Sequence, residues 1–162
     1  MSSVVEIASG IDRALVFEFV ATFAKTEYAL KRAGYVVPNA QRADVAWDRF
    51  AAAKDEVFVV PADTPVGEAI GYLLREPPRK QVAPAGHLRW QASDRNNEPL
   101  LRWLTVLVRR VRNNLLHGGK FATGPEPDSS RSTKLLSASL VIMRHIDSLD
   151  NEVNSYFRDT LG

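Results

Sequence analysis

Pro99-Leu100-Leu101-Arg102-Trp103-Leu104-Thr105-Val106-Leu107-Val108-Arg109-Arg110-Val111-Arg112-Asn113-Asn114-Leu115-Leu116-His117 is the stretch on which the fold turns. Leu100, Leu104, Leu107, Val108, Val111 and Leu115 fall at helical spacing, so a helix with about 3.6 residues per turn gathers them into one apolar stripe. Proline suits the opening, because a first-turn N–H has no partner inside the helix to lose. Gly118-Gly119 supplies the stop just past the last turn, and Gly124-Pro125 with Pro127 extends the break. The reading is an amphipathic helix from Pro99 to about Leu116 that is buried along one side.

Outward from this helix the same period recurs. A last long helix starts near Asp128 or Ser129, either of which can cap it. Its stripe is Leu135, Leu136, Ile142, Met143, Ile146 and Leu149, and Val153 and Phe157 carry it past Asp150. Toward the N-terminus a helix is expected from Ile11 to Ala33, capped by Ser9, with Asp12 adding charge at its positive end and Gly34 as the stop. Leu15, Phe19, Phe23, Thr26 and Leu30 form its stripe, Val16 widens it, and Glu27 sits at its border. Between these, Arg42–Lys54 reads as a shorter helix holding Val45, Trp47 and Phe50, and Thr64-Pro65 opens another through Leu74, ended by Pro77-Pro78. Val57-Phe58-Val59-Val60 reads as either a short strand or buried coil. Residues 77–97, with Pro84, Gly86 and Asp94, read as a long loop. Four or five amphipathic helices with little strand signal predict an all-α helical bundle, one domain over residues 1–162.

Composition narrows the function classes. With 45% hydrophobic and 25% charged residues the chain is ordinary globular material. No apolar run reaches the roughly 18 residues that a membrane-spanning helix requires, and Met1-Ser2-Ser3-Val4-Val5-Glu6 lacks the pattern of a secretory signal. The expectation is a cytoplasmic protein with no membrane partner. Cysteine is absent, which excludes disulfides, a thiol nucleophile and thiolate metal sites. His87, His117 and His145 lack paired-ligand spacing, so no metal site is expected. Gly118-Gly119-Lys120 follows a helix instead of preceding one and is no phosphate loop. Ser130, Ser132 and Ser137 have no nucleophile-elbow context, and no cofactor is implied. A net charge of +2 is small, but its distribution is uneven. From Glu98 to Glu126 there is no carboxylate between, while Arg102, Arg109, Arg110, Arg112 and Lys120 fall in that window.

On the Pro99–His117 helix, Arg102, Arg109, Asn113 and His117 project from the side away from the apolar stripe, with Arg112 on the flank. Arginine, an amide and a histidine on adjoining faces can hold a phosphate and move a proton beside it. The plainer alternative is a surface histidine in a last turn with a glycine cap.

Arg112-Asn113 followed after three residues by His117 resembles the Arg-polar-x-x-x-His signature of the HEPN superfamily. The longer form Arg112-Asn113-Asn114-Leu115-Leu116-His117-Gly118-Gly119-Lys120 resembles a branch of small bacterial HEPN-like proteins, as does Phe23-Ala24-Lys25-Thr26-Glu27-Tyr28-Ala29-Leu30-Lys31 in the first helix. The resemblance covers the first helix and the last two, and says little of residues 35–97. It implies a HEPN-like bundle and a metal-independent endoribonuclease, in which a ribose 2′-hydroxyl attacks the adjacent phosphate. A cyclic phosphate and a free 5′-hydroxyl result. Carried over, His117 transfers protons, Arg112 stabilises the pentacovalent phosphate and Asn113 orients the phosphate or the histidine. Glu27 either orients Arg112 or His117 or is an ion-pair partner at the bundle edge; Lys120 either touches RNA backbone or is solvated. Arg102, Arg109 and Arg110 are the candidates for flanking an RNA path. Arg112 and His117 are five residues apart and diverge by about 140° on an ideal helix, which favours a homodimer bringing two copies of the motif to one cleft. A toxin or defence role with an antitoxin protein as partner fits the same chemistry. The alternative is a non-catalytic HEPN-like module for dimerisation or RNA binding.

Overall fold

The computed structural model describes residues 10–39, 41–116 and 129–159. Over these residues the chain is an all-α bundle with one small hairpin. Helices α1 (Arg13–Arg32), α2 (Trp47–Lys54) and α3 (Pro65–Arg75) come first. Strands β1 (Lys80–Val82) and β2 (Arg89–Gln91) follow, then α4 (Leu100–Leu116), α5 (Ser129–Ser148) and α6 (Asn151–Arg158). Helix α5 is the centre: it packs against α1, α3, α4 and α6, while α2 lies on α4. The side chains that meet there are the expected stripes. Phe19 and Leu30 from α1, Leu104, Leu107 and Val108 from α4, and Ile142, Met143 and Ile146 from α5 are essentially without solvent contact.

Several boundaries differ from the sequence expectation, each for a local reason. Helix α1 is capped by Asp12, whose carboxylate accepts from the Ala14 N–H at 2.9 Å, so the helix starts at Arg13 and not Ile11. Ser9, the expected cap, lies outside the described residues. Gly34 ends the helix at φ 86°, a left-handed conformation that glycine adopts without a Cβ penalty. The second helix begins at Trp47 instead of Arg42. Asn39, at φ 59°, turns the chain back, and residues 42–46 run antiparallel to Tyr35-Val36-Val37, bonded through Ala46 N–H to Tyr35 O and Val37 N–H to Asp44 O. The Ala46 N–H and the Asp44 carbonyl are thus bonded across the bridge instead of within a helical turn.

Thr64 caps α3 as expected, accepting from Gly67 N–H at 3.1 Å and donating to Pro61 O at 2.9 Å. A Cβ on Gly67 would stand 2.3 Å from that same Pro61 carbonyl oxygen, so only glycine lets the connection lie so close. Val57-Phe58-Val59-Val60 is irregular rather than a strand: Phe58 packs on the core, and Val57 and Val59 are exposed.

The expected long loop of 77–97 contains regular structure. Lys80, Gln81 and Val82 pair antiparallel with Gln91, Trp90 and Arg89, joined through a turn in which Ala85 and Gly86 both have positive φ. The expected single last helix is two, which raises the helix count from four or five to six among the described residues. Asp150 takes an extended conformation and accepts from the N–H groups of Glu152 and Val153 at 2.9 and 3.1 Å, starting α6 as an N-cap. Lys54 and Tyr35 hold its other oxygen at 2.7 and 3.1 Å, tying the break to α2 and to the end of α1.

Candidate functional site

The last two turns of α4 form one wall of an open cleft of about 590 Å³. Arg109, Arg112 and Asn113 come from this wall; Glu27 of α1, Trp47 of α2, and Lys80 and Gln81 of β1 line the cleft with them. Arg110, Asn114 and Asp44 also border it, so positive side chains outnumber carboxylates there by four to two. A depression of about 390 Å³ that includes Arg49 adjoins it through Val45, Trp47 and Arg109, which line both.

Arg112 is held by charge and by face. Its Nη2 lies 3.7 Å from Glu27 Oε1, and its guanidinium sits over the Phe23 ring at 4.8 Å from the centroid. Nε of Arg112 is buried without a hydrogen-bond partner among the described residues. The stacking continues inward. Phe23 packs on Trp47 at 5.9 Å between ring centroids, and Trp47 carries the Arg109 guanidinium at 5.8 Å. Phe23 and Trp47 therefore space two arginines along one wall. Arg109 donates from Nε to Thr105 O at 3.2 Å. Burial lowers its pKa first, Asp48 works against that, and the Arg112 charge lowers it further. A guanidinium stays protonated throughout, so two cations that feel one another face a cleft where an anion would relieve both.

The other expected residues divide. Arg110 borders the cleft, but Nη1 donates to Pro78 O at 3.1 Å and to Ser93 Oγ at 2.6 Å while the guanidinium covers Trp103. Asn114 donates to Arg79 O at 2.9 Å. These two side chains fasten both ends of the hairpin to α4. Arg102 stands outside the cleft, paired with Asp48 at 3.3 Å and Glu98 at 3.0 Å, and those partners raise its pKa, Asp48 foremost. The structure thus brings together Glu27, Arg109, Arg110, Arg112 and Asn113 and leaves Arg102 apart. His117 and Lys120 lie outside the described residues, as do the Gly118-Gly119 stop and Asp128.

Sequence reading missed Lys80, Gln81 and Asp44 as cleft residues and took Trp47 only for core. Trp47 carried no other signal, since its ring is buried at 5% exposure and serves the site from beneath. Among the described residues no group of three or more histidines, cysteines or carboxylates is placed to hold a metal ion, and no helix is long and apolar enough to cross a membrane. No family model, curated protein or solved structure matches the chain.

Proposed function

We propose that this protein is a metal-independent endoribonuclease of the HEPN kind, acting in the cytoplasm as a homodimer, with a toxin or defence role under an antitoxin as its setting. The observation that carries the reading is the holding of Arg112 by Glu27 and Phe23, beside Arg109 and Asn113, on the last turns of the helix that leads into His117.

In this reading the phosphate of the scissile link sits between the Arg112 and Arg109 guanidiniums. The ribose 2′-oxygen attacks phosphorus and gives up its proton; the bond from phosphorus to the 5′-oxygen breaks, and that oxygen takes a proton. The products are a 2′,3′-cyclic phosphate and a 5′-hydroxyl. Arg112 stabilises the charge that accumulates on the equatorial oxygens, a task for a fixed donor whose orientation is set before the reaction. Asn113 offers an amide to orient the phosphate. His117 performs one proton transfer and the His117 of a second copy performs the other, which answers the five-residue spacing of Arg112 and His117, about 140° on an ideal helix.

The test is cleavage of single-stranded RNA by purified protein in the presence of a chelator, with wild type compared against Arg112→Ala and His117→Ala. Cleavage by the wild type alone supports the reading. Binding without cleavage leaves the non-catalytic RNA-binding module in its place.

A further inference from the structure

The hairpin carries a feature that the phosphate chemistry does not use. Gln81 and Trp90 are direct partners in the β1–β2 register. Cross-strand partners project to the same face with Cβ atoms about 5 Å apart, and Gln81 lines the cleft. Trp90 therefore shares the hairpin face of a cleft residue. It is 38% exposed, against 5% for Trp47 and 8% for Trp103. Those two rings each carry an arginine, Arg109 on Trp47 and Arg110 on Trp103. The faces of Trp90 have neither ring nor cation against them among the described residues.

The hairpin is tied down at both ends. Arg110 grips Pro78 and Ser93 and Asn114 grips Arg79, so the chain is pinned to α4 just before β1 and just after β2. The platform is fixed relative to the helix that bears Arg112. Lys80, the neighbour of Gln81 on β1, also lines the cleft and adds a cation to it.

We infer that the Gln81–Trp90 face of the hairpin is a base-stacking subsite, taking an unpaired nucleobase of single-stranded RNA next to the phosphate held at Arg109 and Arg112. The inference rests on the RNA reading of the cleft and extends it to how the strand is held. A planar π face suits any base, and the Gln81 amide offers both a donor and an acceptor to a base edge. A base paired in a duplex keeps its own stacking neighbours and cannot lie on the ring. The subsite therefore selects single strands and leaves their sequence largely open.

A non-cleavable 2′-fluoro oligouridylate of about eight nucleotides, within the span such grooves cover, separates this from the nuclease reading. Titration is followed by tryptophan fluorescence, to which Trp90 is the exposed contributor, and by anisotropy of a labelled strand. The expected result is a saturable quench in the wild type. Trp90→Ala abolishes the quench and raises Kd roughly tenfold, the scale of losing one stacked base. Trp90→Phe keeps the affinity, and an abasic strand of equal length binds wild type and Trp90→Ala alike. A Trp90-dependent quench without any RNA cleavage keeps the subsite and removes the nuclease. Cleavage with wild-type Kd in Trp90→Ala removes the subsite and keeps the nuclease, and absence of binding to the wild type overturns the subsite outright.

Discussion

Arg112 Nη2 stands 3.7 Å from Glu27 Oε1, and the two side chains are only 28% and 30% exposed, so α1 fixes the arginine of α4 at the rim of the cleft. Phe23, one turn earlier on α1, lies under the same guanidinium. A single face of α1 thus supplies both the counter-charge and the aromatic seat.

Glu27→Gln is expected to lower single-turnover cleavage about tenfold while changing the melting temperature little, because a half-buried surface pair contributes modestly to stability. Arg112→Lys is expected to fare no better than Arg112→Ala, since an ammonium cannot keep a flat face on Phe23 and two donors toward a phosphate. Melting curves alongside single-turnover rates separate the two effects. Equal loss of rate and of stability in Glu27→Gln would make the carboxylate merely structural.

The three arginines expected to flank RNA should behave differently from one another. Arg109→Ala removes a cation from the cleft wall and is expected to raise Kd for a non-cleavable strand and to flatten its salt dependence. Arg110→Ala acts through the hairpin it fastens, so it is expected to weaken binding and to increase amide exchange around Lys80–Gln91. Arg102→Ala, outside the cleft and already paired with Asp48 and Glu98, is expected to leave Kd near wild type. A strand-binding titration across salt concentrations checks all three.

Asp147 gives a pH dependence of stability. It is 1% exposed, with Thr26 Oγ1 donating to Oδ2 at 2.9 Å and Oδ1 without a partner among the described residues. Burial raises its pKa from 3.8 to about 7, against the lowering effects of Thr26 and Lys25. Between those values the folded state holds a proton that the unfolded state has released, so stability falls as pH rises from about 4 to about 7. Asp150 behaves in the opposite way. Burial opposes its ionisation, but Lys54, the Val153 N–H and Tyr35 outweigh burial and lower its pKa below 3.8, so its contribution is lost only in stronger acid. Asp147→Asn is expected to melt higher than wild type at pH 8 and to flatten the curve between pH 4 and 7. A wild-type slope of the same size in that variant would contradict the assignment.

The long-period features of the fold were legible. Leu104, Leu107 and Val108, or Ile142, Met143 and Ile146, repeat over enough turns to set a buried face before any contact is known. Short and side-chain-dependent features were not. Strands of three residues, Lys80–Val82 and Arg89–Gln91, are too brief for alternation to register, and Pro84 and Gly86 between them speak only for a turn. The break at Asp150 was hidden because Val153 and Phe157 keep the apolar spacing, while Lys54 and Tyr35 reach Asp150 from distant parts of the chain. Within the site, a helical wheel grouped Arg109 with Arg102, yet Asp48 of α2 and Glu98 draw Arg102 away. Glu27 was legible as a border residue, and the resemblance named Arg112 among its possible partners, the one it stands 3.7 Å from.

The five-residue spacing of Arg112 and His117 makes assembly measurable. Sedimentation velocity at micromolar concentration is expected to show a dimer, and mixing His117→Ala with Arg112→Ala protein is expected to restore part of the activity by forming mixed clefts. A monomer at that concentration with full activity would remove the second copy from the mechanism.

In the proposed reaction a ribose 2′-hydroxyl is the nucleophile, and a single substituted strand reports on it. A single-stranded RNA is mapped for its cut position in chelator, then resynthesised with 2′-deoxyribose at that one position. The expected outcome is a 2′,3′-cyclic phosphate and a 5′-hydroxyl from the all-ribose strand, no cut at the deoxy position, and a loss of roughly 10²–10⁴-fold in His117→Ala. Cleavage at the deoxy position, or a product bearing a 5′-phosphate, would contradict it.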